Sequence, residues 1–367
     1  MSKSDNKTYQ LFFPAVIINY QNAKTYIPAL DGLRGIAILL VILFHTFHFT
    51  LGWCGVDLFF ILSGFLITSS LIETKEDNNY LKKFWLKRVL RIFPLYYLIL
   101  IIILIPKDFF NINTVSFSSW SYWFYVQNWV YVYNGLFPDG KDTLNHFWSL
   151  AIEEQFYFLF PFIIKYVPKK NLVSVLLLFI AVPIGARYYY FINNNIGYYV
   201  ATVSRLDALS IGALLAYLVR ENKHYLEKYV HLVFYSALGY IIVAILIYQD
   251  LHFSNPLIAT LGLTAFALLF ACVLIYSISN FKNNFLNAIL NNKYLKFIGK
   301  IAYGLYVYHW ILYVLIKPQL LEMLFNATQL LLVSKVIASS FIFLLALIIS
   351  YLSYHYFEKR IMSLRKI

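Results

Sequence analysis

Residues 26–71 read YIPALDGLRGIAILLVILFHTFHFTLGWCGVDLFFILSGFLITSSL, two apolar runs joined by a short turn. The first run carries Arg34 near its start and His45 deep inside it. In lipid such groups are costly, and they face a protein interior or a water-filled path. The two residues are eleven positions apart. At ~100° per residue that separation ends ~20° past three full turns, so both side chains share one helix face, ~16 Å apart along the axis. The stretch therefore predicts two membrane helices, with a cation at one level of the first and an imidazole about half a bilayer beyond it.

The rest of the chain extends that pattern. Of 367 residues, 61% are hydrophobic and 13% are charged, against roughly 45–50% apolar in soluble domains. The composition predicts an all-α polytopic membrane protein and excludes a soluble enzyme. Ten spans are expected, at 30–50, 55–72, 89–106, 148–167, 172–190, 200–219, 229–249, 256–278, 298–316 and 329–356. Ten crossings would put 24 of the 30 Lys and Arg on one side. The net charge of +13 thus reads as positive-inside topology with both termini cytoplasmic, and no nucleic-acid partner is inferred from it.

The expected organisation is an N-terminal arm (1–29), a transmembrane unit (30–357) and a cytoplasmic tail (358–367). The opening MSKSDNKTYQ has no signal-peptide pattern, and the apolar patch Leu11–Ile18, interrupted by Pro14, reads as an interfacial arm. The segment 117–133 (FSSWSYWFYVQNWVYVY) is apolar but mixes Trp with Ser, Gln and Asn, which fits an interfacial or re-entrant element. Cys54 and Cys272 fall at different expected depths, so no disulfide is predicted. No nucleotide-binding glycine loop, HExxH or CxxC pattern occurs, and no metal site is predicted.

The expected topology gives each polar residue a depth. Arg88 and Arg91 are three apart at the cytoplasmic mouth of the third span, a fork suited to phosphate. Positive-inside anchoring alone would also place them there. Glu153 and Glu154 lie in the outer half of the fourth span, where a carboxylate needs a cationic or imidazole partner. Either could orient His45, hold an acceptor hydroxyl, or pair with Arg205; Asp57, at the turn, is a third carboxylate within reach of His45. Arg205 and Asp207 read as substrate support or an inter-helix clamp, and His309 as a further site candidate. His45, an imidazole that exchanges protons near neutral pH, suits a general base, with Arg34 as an anion-binding group.

Six blocks in order resemble the acyltransferase 3 family of bacterial integral-membrane O-acyltransferases. They are LDGLRGIAILLVILFH (Arg34 and His45 at the Arg/Lys-x10-His positions), GVDLFFILSGFLIT, RVLR (Arg88, Arg91), HFWSLAIEEQFYFLFP (Trp148, Ser149, Glu153, Glu154), SRLDALSIGALLA (Arg205, Asp207) and IGKIAYGLYVYHWIL (His309). The match runs from about Tyr26 to about Lys359. The resemblance implies acetyl-CoA or another acyl-CoA as donor, without a metal, and a carbohydrate hydroxyl outside the bacterial cytoplasmic membrane as acceptor. It implies His45, oriented by Glu154, Glu153 or Asp57, as the catalytic group, and Arg34, Arg88 and Arg91 as the CoA site. Trp148, Ser149, Arg205, Asp207 and His309 would support them. Some members carry an added extracytoplasmic esterase-like domain, which is not expected in these 367 residues. A lipid-linked-sugar transporter would use similar buried charges, but the paired Gly/Pro interruptions expected of one are not evident. A small metabolite or a lipid remains an alternative acceptor.

Overall fold

A computed structural model describes residues 26–110, 115, 118–279 and 285–364. The Leu11–Ile18 patch and the end of the tail lie outside the described residues. Ten long helices organise the chain: α1 Pro28–Phe47, α2 Gly55–Thr74, α3 Tyr80–Phe110, α4 Trp148–Tyr166, α5 Lys169–Ile192, α6 Thr202–Glu221, α7 Lys223–Tyr248, α8 Leu263–Ile278, α9 Ala302–Thr328 and α10 Leu331–Ser353. Among the described residues nine helices, α1–α8 and α10, are long and apolar enough to cross a membrane. The chain is a polytopic helical membrane protein.

The ninth expected span, 298–316, differs. A short helix Lys293–Lys300, capped by the Asn292 side chain, precedes α9, and the two are separated at Ile301. α9 has 27 residues, ~40 Å at 1.5 Å per residue. Tyr303, Tyr306, His309 and Lys317 dilute its hydropathy because they point into the protein, where Tyr306, His309 and Lys317 are buried.

The segment 117–133 does not cross. Its described part folds as two short helices, Trp120–Trp123 and Gln127–Asn134, broken at Tyr125, which adopts φ 55°. Tyr125 stacks on Tyr96 of α3 at 4.2 Å between ring centres. The Tyr122 and Tyr131 hydroxyls share a 2.7 Å hydrogen bond, which satisfies polar groups that a buried irregular segment cannot leave unpaired.

The centre of the bundle is the contact between α2 and α6. Gly64 faces the Leu209 carbonyl and Gly212 faces the Ile61 carbonyl, so a methyl group at either position would overlap the other backbone. Small residues at such a crossing let membrane helices pack closely. α1 begins at Pro28, whose missing N–H costs nothing in a first turn. It ends at His48 in the left-handed region, φ 57°. Cys54 and Cys272 are buried and free.

Candidate active site

Arg34 leaves α1 near its start and donates to Asp31 at 3.0 Å, while the Tyr26 hydroxyl donates to the same carboxylate at 2.7 Å. That hydrogen bond, with burial and the carboxylate's charge behind it, pushes the Tyr26 phenol up to about 12. Arg88 and Arg91, one turn apart on α3, join Arg34 in lining a single cavity. Lys300, at the end of the short helix before α9, is a fourth cation on its wall. Arg88 also lies over the Tyr157 ring at 5.7 Å.

Polar groups line the cavity as it deepens. Ser63 of α2 donates to Glu153 of α4 at 2.6 Å, and both face the cavity. Beyond them the cavity reaches Ser149 and Tyr306, whose hydroxyl oxygens are 2.5 Å apart. The Tyr306 hydroxyl donates to the His146 carbonyl at 2.7 Å, which leaves the Ser149 hydroxyl to donate to Tyr306. Ser149 and Glu153 are one helical turn apart on α4, so that helix presents an acid toward the arginines and a hydroxyl toward the far end.

One turn beyond Tyr306, His309 lies 3.0 Å (Nε2) from His45 Nδ1. The tautomers follow from His309 Nδ1, which lies 2.8 Å from the Tyr306 carbonyl and 3.0 Å from that of Leu305. Both are acceptors, so His309 Nδ1 carries the proton and its Nε2 accepts when the ring is neutral. His45 Nδ1 must then donate, and the lone pair of neutral His45 sits on Nε2. The His45 ring packs against Trp310 at 4.8 Å, and Trp310 is anchored by its indole N–H donating to the Asp142 carbonyl at 2.8 Å. The buried His146 ring stands 5.3 Å from His309. Among the described residues no cluster of three or more His, Cys, Asp or Glu could hold a metal.

Several expected pairings are different in the structure. His45 is partnered by His309; none of the carboxylates expected to orient it, Glu153, Glu154 or Asp57, is its hydrogen-bond partner. Asp57 instead pairs with Arg205 at 2.5 Å, both completely buried, which corrects the expected Arg205–glutamate contact. The Arg205 guanidinium also lies among the Phe60, Trp148 and Tyr199 rings at 5.0–5.9 Å. Asp207 pairs with Arg187 of α5 at 2.7 Å and accepts from Thr264 of α8 at 2.6 Å. The two ion pairs thus clamp α2, α5, α6 and α8. Adjacent residues point to different sides of a helix, so Glu153 faces the arginine cavity while Glu154 lines a lateral groove beside Trp129 and Phe124.

His146, Tyr306, Ser63 and Lys300 were not singled out from the sequence. Two of them had a readable signal: His146 stands inside HFWSL and Tyr306 one turn before His309 on the same face. Ser63 and Lys300 had none, because serines and positive-inside lysines are ordinary in such a chain.

The acyltransferase-domain family model matches residues 27–355. A Staphylococcus aureus (strain COL) protein provisionally named an O-acetyltransferase is 31% identical over 309 residues, covering 78% of this chain and 50% of that protein. The peptidoglycan O-acetyltransferase OatA of Listeria monocytogenes is 37% identical over 150 residues, 38% of this chain and 24% of that one. The O-acetyltransferase OatA of Staphylococcus aureus is 32% identical over 209 residues, 53% of this chain and 35% of that one. The chain spans about half the length, or less, of these relatives. No solved structure matches.

Proposed function

The chain belongs to the acyltransferase 3 family, and from that premise we propose that it moves an acyl group from cytoplasmic acyl-CoA to a carbohydrate hydroxyl outside the membrane. Acetyl is the group named in its relatives, and the peptidoglycan named in one of them makes a cell-envelope glycan the acceptor class. The observation that carries this reading is the single cavity lined by Arg34, Arg88 and Arg91 at one end and by Ser149 and Tyr306 at the other. The predominance of Lys and Arg at the arginine end supports a cytoplasmic position for that end and for both termini.

In this reading the arginines and Lys300 hold the phosphates of CoA, as guanidinium forks hold phosphate elsewhere. The pantetheine arm follows the cavity past Ser63 and Glu153. The thioester comes to rest at the Ser149–Tyr306 pair, one helical turn from His309. His45 Nε2 takes the proton of the acceptor hydroxyl, and the oxygen attacks the thioester carbonyl carbon. The Ser149 hydroxyl, turning from Tyr306 to the carbonyl oxygen, steadies the charge there, while Tyr306 stays bound to the His146 carbonyl. The carbon–sulfur bond breaks, and the proton passes from His45 to the departing thiolate, giving an O-ester and free CoA. His309 holds the His45 ring with Nε2 forward, the orienting role that a carboxylate fills in hydrolase triads.

The test is transfer of labelled acetyl from acetyl-CoA by protein reconstituted in vesicles, beside a mass comparison of envelope glycans made with and without the protein. His45→Ala is expected to abolish transfer while folded protein persists. Equal product from that variant overturns the proposal.

A further inference from the structure

Lys317 lies on α9, eight residues beyond His309, yet its side chain turns back toward His45. Its ammonium lies 3.4 Å from the carbonyl of Thr46, the residue next to His45, and 2.9 Å from the Tyr313 hydroxyl. It also sits 4.2 Å above the Tyr313 ring. Lys317 is only 8% exposed, and every one of these partners is neutral. Lys335 opens α10 on the same side: one turn later Ser339 donates to the same Thr46 carbonyl at 2.8 Å. Among the described residues neither lysine has a salt bridge. Their combined field reaches His48, whose imidazole is held below its usual range first by burial and then by Lys317 and Lys335.

A buried ammonium with only neutral partners is costly, and an anion that joins it recovers much of that cost. The surrounding rings show what would carry the anion. Tyr313 stacks on Trp310 with ring centres 5.1 Å apart and planes 13° from parallel, and Trp310 packs on His45. A stack of rings therefore links the ammonium to the imidazole, so an anion held at Lys317 would belong to a molecule that also reaches His45.

We propose that Lys317 and Lys335 form an anion subsite for the acceptor, so that the preferred acceptor is a glycan bearing a carboxylate or phosphate near the acylated hydroxyl. The inference rests on the acyl-transfer reading above and names its acceptor class. The phosphate of a bilayer lipid headgroup would offer the same chemistry, so the experiment separates the two sources.

The protein is reconstituted in phosphatidylcholine vesicles with and without phosphatidylglycerol. Binding of an oligouronate and of its carboxyl-reduced, neutral counterpart is measured without donor, and transfer is measured with acetyl-CoA. The oligouronate is expected to bind about tenfold more tightly than its neutral counterpart, a difference of about 1.4 kcal/mol. Lys317→Gln with Lys335→Gln should bring the two affinities together, and Lys317→Arg should retain the preference. Equal binding of both oligosaccharides by the parent protein, or a preference that survives both glutamine changes, overturns the subsite. So does lysine-dependent retention of phosphatidylglycerol with an unchanged oligosaccharide preference, which would assign the lysines to a lipid headgroup. Binding is read without donor, so absence of transfer alongside a lysine-dependent binding preference would count against the acyl-transfer reading and leave the subsite standing.

Discussion

The chemistry at residue scale turns on which nitrogen carries which proton. Two helix carbonyls fix the proton of His309 on Nδ1. Its Nε2 then fixes the His45 tautomer. A neutral imidazole orients His45 as a carboxylate would, but it stabilises the imidazolium less, having no charge of its own. His309→Ala should therefore lower kcat by ~10²-fold or more, within the range for general-base catalysis, while acetyl-CoA binding stays near that of the parent. A fall in donor affinity with kcat retained would reassign His309 to the binding of CoA. At the other end of the cavity, Arg88→Ala and Arg91→Ala should each raise the acetyl-CoA Kd by ~10-fold or more, from ~1.5–3 kcal/mol for hydrogen bonds to charged groups. Titration of the detergent-solubilised variants checks this, and unchanged Kd values would remove the fork from the donor site.

The elements owe their arrangement to close packing and two buried ion pairs. α2 and α6 approach at Gly64 and Gly212, and the Asp57–Arg205 pair joins the same two helices. Gly212→Val would push a branched side chain into the Ile61 carbonyl and the Phe65 amide; overpacking costs ~1–3 kcal/mol or more. A lower thermal midpoint in detergent should follow. Arg205→Met leaves the Asp57 carboxylate buried without its partner, a loss of ~3–5 kcal/mol. Adding Asp57→Leu should restore most of the stability, since an apolar pair leaves no unmatched charge. If the double variant stays as unstable as the single one, Arg205 contributes mainly through its aromatic neighbours.

Across the whole molecule the cavity sets a direction: cations at one end and, at the other, the Ser149–Tyr306 pair, one helical turn from His309. Topology reporters fused at the Asp77 and Asp139 loops should report opposite sides of the membrane, the first cytoplasmic. Both reporters on one side would contradict the proposed donor and acceptor faces. The helical, membrane-spanning class was legible because hydropathy and the 3.6-residue period are properties of each segment alone. The Arg34–His45 spacing and the Arg88–Arg91 fork were legible for the same reason, since each lies within one helix. α9 was less clear, because the polar side chains it turns inward weaken the apolar signal by which a span is recognised.

Membrane class, most helix positions and the two intrahelical spacings needed nothing beyond the order of residues. The partners of those residues were decided elsewhere. His45 met His309 from 264 positions away, and Arg205 met Asp57 from 148. Glu153 turned to the cavity while Glu154 turned to a groove. Such choices depend on how each helix is rotated and how close its neighbours come. Rotation and approach are set jointly by glycines, rings and ion pairs on several helices, so no single segment encodes them.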